Sequence, residues 1–389
     1  MYQCGVYREF DTLIDMKWLF VALLLLVSVG VHAADRGEMS RTRVYESGME
    51  GYVAFRIPAI VRTKSGALLA FAEARKASRS DAGNIDLVLR RSEDGGSTWG
   101  DMIVVWNDGD NTCGNPAPVV DSRSGRVVLL MTWNKGTDKE RDIMSRTSQE
   151  SRRVYICHSD DEGLSWSKPQ DITSSVKRPD WTWYATGPCH ALQMCHKSYR
   201  GRLVVPCNHA VYHGEDSDYN SHLIMSDDGG ESWYIGGLML GGNESTVAEL
   251  KDGTLMYNAR WQRGEARYAR HYAISRDGGK SLGEVVRDTT LVEPVCQGSI
   301  IGYSPNGRAT DELLFCNPAS TKRRENLTLR YSRDGGESWC KSVVVVGGHA
   351  AYSDLVVLRS GDVGVLCESG DKSPYERIEF VVVPKRMLK

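Results

Sequence analysis

Ser92-Glu93-Asp94-Gly95-Gly96-Ser97-Thr98-Trp99 decides the fold, because the chain writes this pattern five times. The pattern is Ser, any residue, Asp, any residue, Gly, two residues, then an aromatic. It returns as Ser159 to Trp166, Ser226 to Trp233, Ser275 to Leu282 (with Leu282 in place of Trp) and Ser332 to Trp339. The starts lie 67, 67, 49 and 57 residues apart. Each copy follows an apolar, alternating run such as Ile85-Asp86-Leu87-Val88-Leu89-Arg90. That reads as a strand ending in a tight turn, in which Ser and Asp bond the turn amides and Gly takes a positive φ. One match is weak. Five fix the architecture.

Working outward, strand-like runs appear at residues 67–72, 127–133, 203–207, 254–258, 343–346 and 379–383, separated by Gly, Asn, Asp and Pro clusters. Long amphipathic helical patterns are absent. Division of residues 34–389 by six gives about 59 residues per unit, close to the intervals between boxes. The expectation is an all-β chain: a six-bladed β-propeller of four-stranded antiparallel sheets, forming a single domain over 34–389. Five boxes suffice for six blades if the last is completed by strands from both chain ends, with residues 49–62 near 363–383. The polar stretch from Lys135 to Arg153 is expected to be a loop on one face.

The chain has 48 basic and 50 acidic residues, for a net charge of −2. This balance offers no general attraction for nucleic acid or an anionic membrane. The first 33 residues differ in kind. Lys17 precedes the apolar run from Trp18 to Val27, and Val31-His32-Ala33 provides a small-residue cleavage site. These features describe a secretory signal peptide cut after Ala33, leaving an exported chain, periplasmic or secreted, with no stable membrane insertion. Residues 1–15, upstream of Met16 and carrying Glu9, Asp11 and Asp15, suit the start of such a leader poorly and read as a mis-assigned start. Nine cysteines follow residue 33, an odd and scattered set that is no disulfide framework. Cys189, His190, Cys195 and His196 suggest a metal, but no second pair has zinc-site spacing, so neither metal nor cofactor is expected.

Phe55-Arg56-Ile57-Pro58, the five boxes, Val247-Ala248-Glu249-Leu250, Arg324-Glu325-Asn326-Leu327-Thr328 and Ala351-Tyr352-Ser353-Asp354-Leu355 occur in this order. Over nearly the whole of 34–389 the sequence resembles the exo-sialidases (neuraminidases). The resemblance implies three arginines that clamp the substrate carboxylate. Arg56 is the first, and a guanidinium suits the task because its planar fork binds a carboxylate bidentately and stays charged. The second falls five residues before a box serine, at Arg270, with Arg267 as the alternative. Arg324 is the third.

The same resemblance assigns Tyr352 as nucleophile with Glu249 as its base, Glu244 being the competing carboxylate. A neutral phenol suits a substrate whose own carboxylate sits on the reacting carbon, where an anionic nucleophile meets like-charge repulsion. Sialidases with a Tyr nucleophile are a known exception to the two-carboxylate scheme of glycosidases. The phenol needs a partner to take its proton, since its ordinary pKa is near 10. Asp81, 25 residues beyond Arg56, is implied as acid/base, with Asp86 as rival. Arg75 is implied to contact a ring hydroxyl, and Glu368 to hold the rotamer of Arg56. The expected activity is that of a retaining exo-α-sialidase acting on sialylated glycoproteins, glycolipids or oligosaccharides. A trans-sialidase and a non-catalytic glycan-binding propeller are the alternatives. The box Asp residues are expected to be structural, and the acceptor-like sequences at Asn243 and Asn326 to be chance matches.

Overall fold

The computed structural model describes residue 1, residues 37–214 and residues 216–388. The expected leader and its cleavage site after Ala33 lie outside the described residues. Residues 39–389 form one compact unit, and it is built from β-strands.

The chain runs through β1 (Ser40–Glu46), β2 (Ala54–Arg62), β3 (Leu68–Arg75), β4 (Ile85–Ser92) and β5 (Ile103–Trp106). It continues with β6 (Thr112–Val120), β7 (Val127–Asn134), β8 (Arg153–Ser159), β9 (Gln170–Asp171), β10 (Trp181–Thr186), β11 (Leu192–Gln193) and β12 (Leu203–Tyr212). Next come β13 (Ser217–Ser226), β14 (Tyr234–Leu240), β15 (Gly242–Glu249), β16 (Leu255–Trp261), β17 (Ala269–Ser275) and β18 (Val286–Val292). The last are β19 (Ser299–Gly302), β20 (Leu313–Pro318), β21 (Glu325–Ser332), β22 (Lys341–Val357), β23 (Val363–Gly370) and β24 (Arg377–Val383).

Consecutive strands pair antiparallel in runs: β2 to β5, β6 to β9, β10 with β12 to β14, β15 to β18, and β19 through β22 to β24. The long β22 serves two runs, its first half bonding β21 and its second half β23. The last run gains its outer strand from the start of the chain. Ser40 to Glu46 pairs with Arg377 to Val382, not residues 49–62 as expected. Residues 54–62 instead open the first run against β3, with Phe55, Ile57 and Ile60 buried. Successive runs touch in turn, β2 with β6, β6 with β10, β12 with β15, β15 with β19 and β19 with β22, and β22 returns to touch β2. Between Lys135 and Arg153 lies a short helix, α1 (Glu140–Met144), within the expected loop.

The boxes join these sheets by one repeated device. In the first, Ser92 Oγ donates to Asp94 Oδ1 (2.8 Å) and accepts from Gly96 N (2.8 Å), while Thr98 N donates to Asp94 Oδ1 (2.9 Å). The other four boxes repeat the Asp contact, each placing the later backbone N–H 2.9–3.0 Å from its Asp. Gly96 has φ +92, and a Cβ there would come within 2.1 Å of the Phe380 ring. The turn therefore presses directly on the neighbouring sheet, where Trp99 packs edge-on to Phe380 at 5.4 Å. Trp166 does the same against Phe71 at 5.7 Å. Leu282 still buries into the core cluster around Met225 and Leu255 without an indole.

Candidate active site

Near its beginning, the first strand of several runs breaks register: between Arg56 and Ala59 in β2, Gly114 and Ala117 in β6, Gly242 and Ser245 in β15, and Ala350 and Ser353 in β22. Such bulges bend a strand and re-aim side chains. Ile57 pays for one with φ 59, costly for a β-branched residue. Its amide is held by Glu368 Oε1 at 3.0 Å. The residues beside these breaks, Arg56, Asn115, Glu244 and Tyr352, all face one cavity of about 170 Å³.

Tyr352 lines it and is buried. The hydroxyl donates to Glu244 Oε1 at 2.5 Å and accepts from Arg260 Nη1 at 3.2 Å. Arg260 Nη1 also reaches Glu244 Oε2 at 2.6 Å. The guanidinium carbons of Arg56 and Arg324 lie 5.2 and 5.4 Å from the centre of the Tyr352 ring. Burial and then Glu244 push the phenol well above its ordinary pKa, and Arg260 and Arg324 offset this only in part. The resting hydroxyl is therefore protonated, with a carboxylate already positioned to take the proton.

Glu368, fully buried, organises the first arginine. It accepts from Arg56 Nε at 2.8 Å and from Tyr352 N at 3.2 Å, linking clamp and phenol through one carboxylate. Arg324 donates to the Tyr375 hydroxyl at 2.8 Å, and Tyr375 also stacks under Arg56 at 4.2 Å. Asp81 lies on an exposed loop, with Oδ1 2.7 Å from Arg75 Nη2 and 3.8 Å from Arg56 Nη1. Arg75 is anchored by Glu73 at 2.6 Å. Burial pushes the Asp81 carboxyl up, but Arg75 and Arg56 outweigh it and hold the carboxyl below its usual range. The rival Asp86 is buried and accepts from the Tyr52 hydroxyl and Asn107, away from this cavity.

Two of the expected residues stand elsewhere. Glu249 ends the strand that Glu244 begins, five residues on, which is roughly 16 Å along an extended chain. Its carboxylate accepts from Cys195 N at 2.7 Å and His196 N at 3.0 Å, so the carboxylate beside Tyr352 is that of Glu244. Arg270 is wholly buried, bonded to Asn258 at 2.7 Å and Glu293 at 2.9 Å. The guanidinium reaching Tyr352 belongs instead to Arg260, on the adjacent strand β16. Arg270 acts one step back: Glu293 also accepts from Trp261 N at 3.0 Å, which fixes the end of β16 beside Arg260. The alternative Arg267 bonds Gly264 O and the Tyr268 hydroxyl. As for the suspected metal group, His190 is bonded to Asp354 at 2.7 Å and Cys189 is buried.

The match to known proteins follows the same stretch. Residues 66–365 fit the family model described as a BNR repeat-like domain. An exo-alpha-sialidase of Aspergillus fumigatus is 30% identical over 345 residues, covering 82% of this chain and 79% of that protein. The chain belongs to the exo-α-sialidase family. A sialidase of Bacteroides fragilis is 32% identical over 84% of this chain, and the match spans 62% of that longer protein. Among solved structures, the Hadza microbial sialidase Hz136 aligns with a TM-score of 0.77 at 28% identity, covering 90% of this chain and 69% of that one. A leech intramolecular trans-sialidase shares the fold with a TM-score of 0.74 at 18% identity.

Membership makes the chain a glycoside hydrolase of the exo-α-sialidase type, and directs attention to cavity residues that sequence reasoning passed over. Arg152, Trp183 and Asn208 also line the cavity. Arg152 donates to Asn115 Oδ1 at 2.7 Å and lies over the Trp183 ring at 3.9 Å. Among the described residues no motif marked them, since each stands on a different strand or loop. Asn243, in one of the acceptor-like sequences, is buried and bonded to Gln262. No helix among the described residues is long and apolar enough to cross a membrane.

Proposed function

We propose that this chain is a retaining exo-α-sialidase, built as a six-bladed β-propeller, that releases terminal sialic acid through a tyrosyl-enzyme intermediate. The observation that carries the reading is the Tyr352 hydroxyl held between Glu244 and Arg260, with Arg56 and Arg324 flanking its ring. Arg56, Arg260 and Arg324 receive the sugar carboxylate, each as a fixed, charged donor. Tyr352 Oη then attacks the anomeric carbon while Glu244 takes its proton. Asp81 gives a proton to the departing glycosidic oxygen, and the bond to the leaving group breaks.

In the second half Asp81 takes a proton from water. The resulting oxygen attacks the anomeric carbon, the Tyr352 bond breaks, and Glu244 returns its proton. Two displacements at one carbon restore its configuration. Asp81 is held ionised in the free protein by Arg56 and Arg75, and substrate charge beside Arg56 weakens that field, so the acid form is favoured in the complex. Arg75, which also lines the cavity while held by Glu73 and Asp81, contacts a ring hydroxyl. Substrates are sialylated glycoproteins, glycolipids or oligosaccharides, met by an exported chain.

The test is hydrolysis of 4-methylumbelliferyl sialoside followed by proton NMR. The α-anomer should appear first, and Tyr352→Phe should release no methylumbelliferone. Initial formation of the β-anomer, or turnover by Tyr352→Phe close to that of the parent, overturns the reading. A transfer product formed with added lactose would favour the trans-sialidase alternative.

A further inference from the structure

The strands that carry the site have a second end. Arg56, Asn115, Glu244 and Tyr352 face the catalytic cavity, whereas Arg62, Val120, Glu249 and Val357, which close the same four strands, line another cavity. This one holds about 440 Å³, within the range of about 300–1,000 Å³ found for small-molecule sites. Nothing in the proposed reaction uses it.

Its charge is lopsided. Arg62, Lys64, Arg308 and Arg359 line it, and among the described residues none of the four has a carboxylate within ion-pair distance. Three are instead tied to main-chain carbonyls. Arg62 Nη2 donates to Pro305 O at 2.8 Å, Arg359 Nη2 to Lys64 O at 2.8 Å, and Lys64 Nζ to Arg123 O at 3.3 Å. Arg359 is seated against Gly66, where a Cβ would lie 2.9 Å from its guanidinium carbon. Arg62 Nη1 is buried with no hydrogen-bond partner. Burial, then the neighbouring Arg359, lower the pKa of Arg62. The single carboxylate lining the cavity among the described residues, Glu249, is occupied by the amides of Cys195 and His196. Like charges gathered in a concave surface without counter-charge are expensive to hold apart from an anion.

We propose that this cavity, at the opposite end of the strands from the catalytic one, binds a phosphate- or sulfate-type oxyanion, with Arg62 and Arg359 as its principal contacts. The chemistry is that of a tetrahedral anion gripped by guanidinium forks, and the volume leaves room for a small carrier group on an ester. The free anion and a monoester share this chemistry.

Titration calorimetry of the full chain with inorganic phosphate tests it, in the presence of saturating N-acetylneuraminic acid to occupy Arg56, Arg260 and Arg324. One phosphate should bind per chain, and R62Q/R359Q should weaken binding by about tenfold or more, while R62K/R359K retains most of it. Both variants should hydrolyse the fluorogenic sialoside within about twofold of the parent, since neither residue touches the catalytic cavity. Should the glutamine pair fail to fold, K64Q/R308Q alters only exposed side chains and should weaken phosphate about threefold or more. Glucose 6-phosphate distinguishes the source: tighter binding than phosphate indicates an ester, weaker binding the free ion. Absence of phosphate binding, or binding abolished by N-acetylneuraminic acid and indifferent to R62Q/R359Q, overturns the proposal without touching the catalytic reading.

Discussion

The rim and the centre of this molecule are built on opposite principles. On the rim, five boxes repeat the same Ser–Asp–amide bonds to within about a tenth of an ångström, and none of them meets the catalytic cavity. In the centre nothing repeats: equivalent bulged strands deliver an arginine, an asparagine, a glutamate and a tyrosine. Repetition holds the sheets in place, and the departures from it supply the chemistry.

The sharpest way to break this contrast is at the centre. Tyr352→Phe should lower kcat by about 10³-fold or more with the melting temperature unchanged, as loss of a nucleophile requires. Next comes a pair on one strand. Glu244→Gln should cost about 10²–10⁴-fold in kcat, the range for a general base. Glu249→Gln, at the other end of that strand, should leave kcat within about threefold. Equal losses from both would contradict the placement of these carboxylates. Arg75→Gln should move a pH limb. Arg75 holds the Asp81 pKa down, so its removal raises that pKa, and the fall of kcat/KM with rising pH should shift to higher pH. An unmoved limb would remove Asp81 from the role of acid. The smallest effect belongs to the rim. Asp161→Ala removes bonds to Ser159 and Ser165 and should cost about 1–2 kcal/mol of stability, read by denaturant unfolding, with kcat unaltered.

The same contrast governs what could be read in advance. The boxes were legible because their bonds span four residues and leave a local pattern of Ser, Asp and Gly. Arg56, Arg324, Tyr352, Asp81 and Glu368 also come together, as expected from flanking motifs. Glu249 was preferred to its competitor Glu244, and Arg260 was not singled out, for a physical reason. Which end of a strand faces the cavity depends on strand direction, and which face of it depends on bulges such as that between Gly242 and Ser245. Neither leaves a strong trace in spacing. Arg270 misled because a buried ion pair with Glu293 and a ligand clamp demand the same residue type. The strand pairing of residues 40–46 was missed because Ser-Arg-Thr-Arg carries little apolar signal: this is an edge strand, half exposed, whose buried residues are only Val44 and Tyr45.

That edge strand has a consequence for synthesis. Ser40 bonds opposite Val382, so the earliest part of the compact unit waits for nearly the last. A pairing across so much sequence is slow to form, and until β24 emerges the first strand has no partner in its sheet. A chain halted before residue 377 would present the bare edge of β23, a template for joining other chains. The sheet of β22 to β24 is thus sealed only after β24 has been made and β1 can take its place beside it.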